Sequence, residues 1–394
     1  MGRALVAGVG MTPFSKPSAG QTYTDMAERA LRDALVDSGL EFADLQQAYA
    51  SYVYGTTSCG QSILQLFGST GIPIVNLNNS CASASTALFL ARQLVEAGGA
   101  DCVLALGFEQ MPAGPVTGPE MSDMVNPMQR FEDKVAEFSQ EGAHLPLSFR
   151  CFGAAAQKLQ ADYGITDETF AKVVVKARRH AADNPRAIFR DQVTVEQVLS
   201  SPRLIGPLTR LQACPPTRGA AAAILVSERF AAKRGISPKV AIRAQAMHSD
   251  FDDIPSATSP MALLGEQIIT RAANEVYEKA GVGPDEVKVA EIHDCFSVNE
   301  LVVYSSLGFT KLQDLEAFVS DDQNTYGGKV VINPSGGLLS KGHPLGATGL
   351  AQCAEITWQL RGECGTRQVE QARFGLAQNS GVGSTGVVTL YERV

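Results

Sequence analysis

No apolar run in this sequence approaches the roughly twenty residues needed to cross a bilayer, so no membrane-spanning helix is expected. No block of Lys or Arg stands out, and the net charge is −8. A nucleic-acid protein would need a basic patch to match phosphate, so no nucleic-acid partner is expected. The opening Met1-Gly2-Arg3 and the run over residues 4–10 are too short and glycine-rich for a secretory signal, and no Arg/Ser-rich transit segment precedes them. The closing Tyr391-Glu392-Arg393-Val394 is neither a peroxisomal nor a reticulum-retention address. Together these absences predict a cytoplasmic protein. CxxC pairs are also missing: Cys59, Cys81, Cys102, Cys151, Cys214, Cys295, Cys353 and Cys364 show no metal-ligand spacing. A disulfide scaffold and a metal centre are therefore not expected, and most of these thiols should be small buried hydrophobes. What is present is ordinary globular usage, 45% apolar and 19% charged over 394 residues, enough for two or three domain-sized units.

The chain repeats itself once. An early helix sets Ala27, Ala30, Leu31, Ala34 and Leu35 on one face and stops at Gly39. A later one sets Ile269, Ala272, Ala273, Val276 and Ala280 on one face and stops at Gly281. Both fit a 3.6-residue period with a glycine cap. Each precedes an acidic turn and a strand, over residues 44–52 and 285–292. A second strand, a polar turn and an amphipathic helix follow in each half: residues 74–79 with the helix 85–96, and residues 330–332 with the helix 347–360. A shift of 262 positions lays Cys81 on His343, Thr86 on Thr348 and Leu88 on Leu350. Further strands are predicted over 102–106, 374–377 and 387–391. Short-loop strand–helix alternation predicts an α/β fold of two similar layered domains, residues 1–230 and 231–394, with a largely parallel sheet. Residues 111–203 do not fit the repeat and read as an insertion, rich in Lys172, Lys176, Arg178, Arg179, Arg186 and Arg190.

Three polar turns carry chemistry. In Asn78-Asn79-Ser80-Cys81-Ala82-Ser83-Ala84-Ser85 the cysteine falls near a helix N-terminus, where free amides and the macrodipole lower a thiol's pKa. A thiolate exchanges acyl groups with thioesters between like sulfurs. In Gly342-His343-Pro344-Leu345-Gly346-Ala347-Thr348-Gly349 the histidine takes the repeat position of Cys81. If the halves face each other, its neutral imidazole can take the thiol proton. In His293-Asp294-Cys295-Phe296 the histidine and cysteine, two apart in a strand extension, point the same way. His144, His180 and His248 have no comparable setting and read as surface or loop residues.

These turns resemble the thiolase superfamily over nearly the whole chain, and within it the sterol-carrier-protein x type. Further matching stretches are Tyr52-Val53-Tyr54-Gly55, Val103-Leu104-Ala105-Leu106-Gly107-Phe108-Glu109 and residues 324–349. The resemblance implies two βαβαβαββ domains in a five-layer α/β/α/β/α arrangement, with residues 111–203 as a loop domain that helps hold coenzyme A, and homodimers or homotetramers. It implies Cys81 as the acyl-accepting nucleophile and His343 as its base and an oxyanion donor. Many thiolases carry Asn-Glu-Ala-Phe where this chain has His293-Asp294-Cys295-Phe296, and a Cys-x-Gly where it has Asn379-Ser380-Gly381. Cys295 is then the second acid/base thiol, His293 positions the oxyanion water, and the Cys81 and Gly381 amides form the second oxyanion hole. The implied reaction cleaves 3-ketoacyl-CoA with coenzyme A as substrate and no permanently bound cofactor; a Claisen condensation, a partner-dependent aldolase and non-catalytic acyl-CoA binding are the alternatives. The departures are Ala84 for a usual glycine, Gln378 for a frequent histidine, Arg218 for an acidic residue, and a chain that ends after the thiolase-like unit.

Overall fold

The structure is a computed structural model that describes residues 2–114, 125–251, 254–382 and 385–394. Part of the expected loop domain, residues 115–124, lies outside the described residues. In chain order the elements that build the site are β1 (Ala4–Met11), α1 (Tyr23–Ser38), β2 (Gln47–Ser51), β3 (Ile74–Leu77), α2 (Ser83–Glu96), β4 (Cys102–Gln110), α3 (Leu147–Tyr163), α4 (Asp167–Ala181), β5 (Arg218–Ser227) and β6 (Val240–His248). Then come α5 (Glu266–Ala280), β7 (Val287–Glu291), α6 (Ser297–Ser306), β8 (Val331–Ile332), α7 (Thr348–Arg361), β9 (Phe374–Gly381) and β10 (Thr385–Arg393).

The two matched helices form as their patterns dictate. Thr22 caps α1 by accepting the Asp25 amide, and Ala27, Ala30, Leu31 and Ala34 are buried along its inner face. Gly39 ends α1 at φ +67° and Gly281 ends α5 at φ +65°, a left-handed conformation that glycine adopts without Cβ strain.

The repeat is plain in the sheet. Outward from the junction the first half runs β1-β5-β4-β2-β3 and the second β6-β10-β9-β7-β8, the same topology twice. The halves join through the antiparallel pairing of Leu5 with Ala241. The sheet is mixed rather than largely parallel. Parallel pairs occur where a helical crossover returns the chain, at β2–β3, β2–β4, β7–β8 and β7–β9. The β9–β10 pair is antiparallel, its strands being separated by only three residues in sequence, and β4–β5, β1–β5 and β10–β6 are antiparallel too.

Three hydrophobic clusters separate the layers. One lies between α1 and the first half-sheet, one between the second half-sheet and α5 and α6, and one in the middle around α2 and α7. The middle helices approach closely at their N-terminal ends: a Cβ on Gly349 would lie 2.1 Å from Ser85 Oγ and 2.5 Å from its amide nitrogen. Ala84 stands beside this contact, fully buried in the middle layer. The pseudo-equivalent helix starts therefore face one another across the molecule.

The insertion is bound to the second half by several of its basic residues. Lys176 is buried and pairs with Glu300, also donating to Tyr304 Oη at 3.1 Å. Arg178 is buried over the Phe189 ring and Arg186 lies over Trp358. Lys172 reaches Ser320, Arg179 reaches Thr325, and Arg190 stays exposed. His180 is not a surface residue: it is buried in α4, its Nδ1 3.0 Å from Asn333 O and its Nε2 2.7 Å from Thr325 Oγ1. His248 ends β6 half-buried against Glu275 at 2.6 Å, while His144 is exposed in a turn as expected.

Replacing Gly349 with Ala forces α2 and α7 apart at the site. Urea denaturation is expected to show a loss of about 1–3 kcal/mol, and an unchanged midpoint would contradict this packing.

Candidate active site

The Cys81 turn is held by its own polar residues. Ser80 adopts φ +52°, an uncommon conformation for a residue with a Cβ. Its amide donates to Asn78 Oδ1 at 2.9 Å, and its carbonyl accepts from Ser83 Oγ at 2.6 Å. The Asn79 amide donates to Ser83 Oγ at 2.8 Å. Cys81 precedes the first helical residue, Ser83, by two positions. Gly381 presses against the turn, where a Cβ would lie 2.4 Å from Asn79 O and 3.4 Å from the Ala82 amide nitrogen.

The fold brings Cys81, His293 and His343 together: the sulfur and one ring nitrogen from each histidine lie within 4.8 Å of one another. The two imidazoles meet edge to face with centroids 5.0 Å apart. Hydrogen bonds assign the tautomers. Thr348 Oγ1 donates its only hydrogen to Pro344 O at 2.9 Å, so it accepts from His343 Nδ1–H at 2.8 Å. Asn379 Nδ2 donates to Cys81 O at 2.9 Å, so its Oδ1 accepts from His293 Nδ1–H at 2.6 Å, a far shorter contact than the 3.4 Å approach of the Ser380 amide to the same nitrogen. Nε2 is then the free lone pair on both rings. That of His343 is buried without a partner.

Charge is scarce in this pocket. Burial pushes the Cys81 thiol up to about 11, against a smaller opposing effect of Ser80. The expected lowering at a helix start does not occur: the sulfur is desolvated even though the residue is only half-buried, and desolvation outweighs the distant helix amides. Burial lowers His293 to about 4, and lowers His343 well below its usual range, helped by His293 and Lys341. Cys295 is buried, and its thiol is raised well above normal by desolvation and by the charges of Cys214 and Cys81. Of the four side chains expected at the site, Cys295 lies outside the group of three whose ligand atoms lie within 4.8 Å of one another.

Buried acids fasten the His293 and His343 turns to each other and to the ends of β2 and β4. Asp294 caps the short helix Gly337–Ser340, accepting from the Leu338 amide at 2.6 Å and the Leu339 amide at 3.4 Å. Desolvation raises it to about 8. Glu291 pairs with Lys341 at 3.0 Å and accepts from Ser335 Oγ at 2.7 Å. Glu109 accepts from the Val53, Tyr54 and Gly346 amides at 3.0, 2.9 and 2.9 Å. The Thr217 hydroxyl accepts the His343 amide at 3.0 Å. The insertion closes one side, where Phe152 stacks on Phe296 at 4.4 Å and Phe149 meets it edge-on. Cys214 donates its amide to Cys295 O at 2.8 Å. Gln378 accepts the His293 amide at 3.0 Å, and Arg218 donates to the Met111 and Gln21 carbonyls, so both departures hold backbone.

Sequence reasoning passed over Thr348, Asn379, Glu109, Asp294, Glu291 and Lys341 as parts of this site. The available signal was a charged residue at the end of an apolar strand, as at Phe108-Glu109 and Ala290-Glu291.

Comparison with known proteins follows the same outline. A family model described as "Thiolase, N-terminal domain" matches residues 4–229, and one described as "Thiolase C-terminal domain-like" matches residues 255–393. The chain is 46% identical to "Sterol carrier protein 2" of Oryctolagus cuniculus over 394 residues, covering 99% of this chain and 72% of that protein. The solved structure "Ltp2-ChsH2(DUF35) aldolase" superimposes with a TM-score of 0.82 at 23% identity, covering 98% of this chain and 97% of that one. Human mitochondrial 3-ketoacyl-CoA thiolase gives 0.72 at 19% identity, covering 100% of this chain and 99% of its own. At these identities the two structures share a fold with this chain. No helix among the described residues is long and apolar enough to cross a membrane.

A thiol raised to about 11 stays protonated through neutral pH. Iodoacetamide alkylation of Cys81 in the ligand-free protein is therefore expected to climb about tenfold per pH unit from about pH 7 to 10. A plateau near neutrality would mean a stabilised thiolate and would contradict the desolvated site.

Proposed function

The chain belongs to the thiolase family, and from that premise we propose that this acyltransferase cleaves 3-ketoacyl-CoA with coenzyme A through an acyl-Cys81 intermediate. The observation that carries the reading is the trio itself: one thiol faces two neutral imidazoles whose remaining lone pairs are unclaimed.

In this reading Cys81 gives its proton to His343 Nε2 as the sulfur attacks the 3-keto carbon. The resulting imidazolium donates from Nε2 to the new oxyanion. His293, held with its proton on Nδ1, accepts one hydrogen of a water whose other hydrogen meets the same oxygen. The carbon–carbon bond then breaks, and the departing acetyl- or propionyl-CoA enolate takes a proton from Cys295. The Cys295 thiolate deprotonates incoming coenzyme A, which lifts the acyl group from Cys81 while the Cys81 and Gly381 amides hold the second oxyanion. Forming charge only in the transition state suits a dry pocket, where each fixed donor contributes about 3 kcal/mol.

Two histidines facing one cysteine also suit Claisen condensation, and the same assay reads both directions. Purified protein is expected to consume acetoacetyl-CoA or a longer 3-ketoacyl-CoA when coenzyme A is added. Cys81→Ala and Cys295→Ala should each lower kcat/KM by roughly 10³-fold. No turnover at any chain length, with Cys81 labelling still blocked by acyl-CoA, would overturn thiolysis in favour of a decarboxylating condensation or a partner-dependent reaction.

The same proposal includes a homodimer or homotetramer. Strand β3 is the sheet edge, its Val75 is 39% exposed, and nearby Leu66 is 52% exposed. An unpaired edge beside apolar surface favours a second copy. Light scattering on the eluting protein should give at least twice the 41.8 kDa chain mass, and a monomer would contradict it.

A further inference from the structure

The spacing of cysteines and histidines along the chain contains no metal-ligand pattern, yet the fold assembles one. The Cys81 sulfur and one nitrogen each from His293 and His343 lie within 4.8 Å of one another, delivered by three separate turns. Both rings have their Nδ1–H tied to a fixed oxygen, at Thr348 and Asn379. Metal-ligating histidines are oriented in this way, the second nitrogen being held so that the first presents its lone pair. Nε2 of His343 is moreover buried with no hydrogen-bond partner, in a residue only 3% exposed. Lys341, the nearest cation in sequence, is neutralised by Glu291 at 3.0 Å.

We propose that Cys81, His293 and His343 form a Zn²⁺ site, and that the ion, once bound, blocks the nucleophile. One thiolate and two imidazoles with no carboxylate oxygen select Zn²⁺ over Mg²⁺ or Ca²⁺. Bonds of about 2.3 Å to sulfur and about 2.0 Å to nitrogen set tetrahedral ligand atoms about 3.5 Å apart. Binding therefore requires the three ligand atoms to draw in from the 4.8 Å span. On binding, the Cys81 S–H bond breaks, a sulfur–zinc bond forms and one proton leaves to solvent, with no change in oxidation state. The fourth position takes water or the thiol of coenzyme A. The inference stands on the assembled ligands alone and is independent of which acyl transfer the site performs.

Cobalt tests it without reference to activity. Titrating the metal-free, reduced full-length protein with Co²⁺ is expected to give one ion per chain, with thiolate-to-cobalt charge-transfer absorption and the intense visible bands of four-coordination. Added Zn²⁺ should abolish these bands and protect Cys81 from iodoacetamide. Cys81→Ser should remove the charge-transfer band. Thr348→Val keeps every ligand but frees His343 Nδ1, and should weaken Co²⁺ binding about tenfold or more. Circular dichroism would establish that both variants are folded. A wild-type spectrum without the charge-transfer band, or a band that survives Cys81→Ser, would overturn the proposal.

Discussion

The site depends on two hydrogen bonds made away from the substrate. Thr348 and Asn379 take the Nδ1 protons of His343 and His293, so both rings present bare Nε2 atoms in a pocket with one thiol. Asn379 also donates to the Cys81 carbonyl, tying nucleophile and imidazole into one unit. Thr348 is the first residue of α7 and binds back to Pro344, so the helix start itself sets the orientation of His343. The rest of the fold exists to keep three turns from distant parts of the chain in register. Two half-sheets of the same strand order set α2 and α7 side by side, and Gly349 lets their ends approach.

Burial decides the protonation of every group in the pocket. Cys81 and Cys295 are pushed up and His293 and His343 are pushed down, so the resting site is neutral. An isolated charge there is costly, whereas charge that forms against a preplaced donor is strongly favoured. The buried acids are satisfied locally: Glu291 pairs with Lys341, while Glu109 and Asp294, both raised by desolvation, accept from backbone amides. Removing one of these partners would disturb a turn rather than a contact with substrate.

Much of this was legible in the sequence. Alanine-rich helical periodicity and glycine caps marked α1 and α5 as equivalents, and the strand order repeats as that equivalence requires. The Cys81 and His343 turns stood out because polar residues interrupt apolar strands. Other elements were hidden for physical reasons. Strand β5 runs Ala220-Ala221-Ala222-Ala223, poor β-formers made extended by burial between neighbouring strands. His180 looked like one more polar residue in a basic stretch, since its partners, the Asn333 carbonyl and the Thr325 hydroxyl, lie 153 and 145 positions away. The Cys81 thiol departs from the lowering expected at a helix start because a sequence shows proximity to a helix but not how much water the fold removes. Asn379 read only as a missing cysteine, since its role requires knowing what each end of its amide touches.

The most direct test of the account is a nitrogen-15 spectrum of the ring atoms of His293 and His343 at neutral pH, assigned with His→Gln variants. The account predicts two neutral rings, each protonated at Nδ1 with a bare Nε2. A spectrum showing either ring protonated at Nε2, or charged in the resting protein, would contradict it.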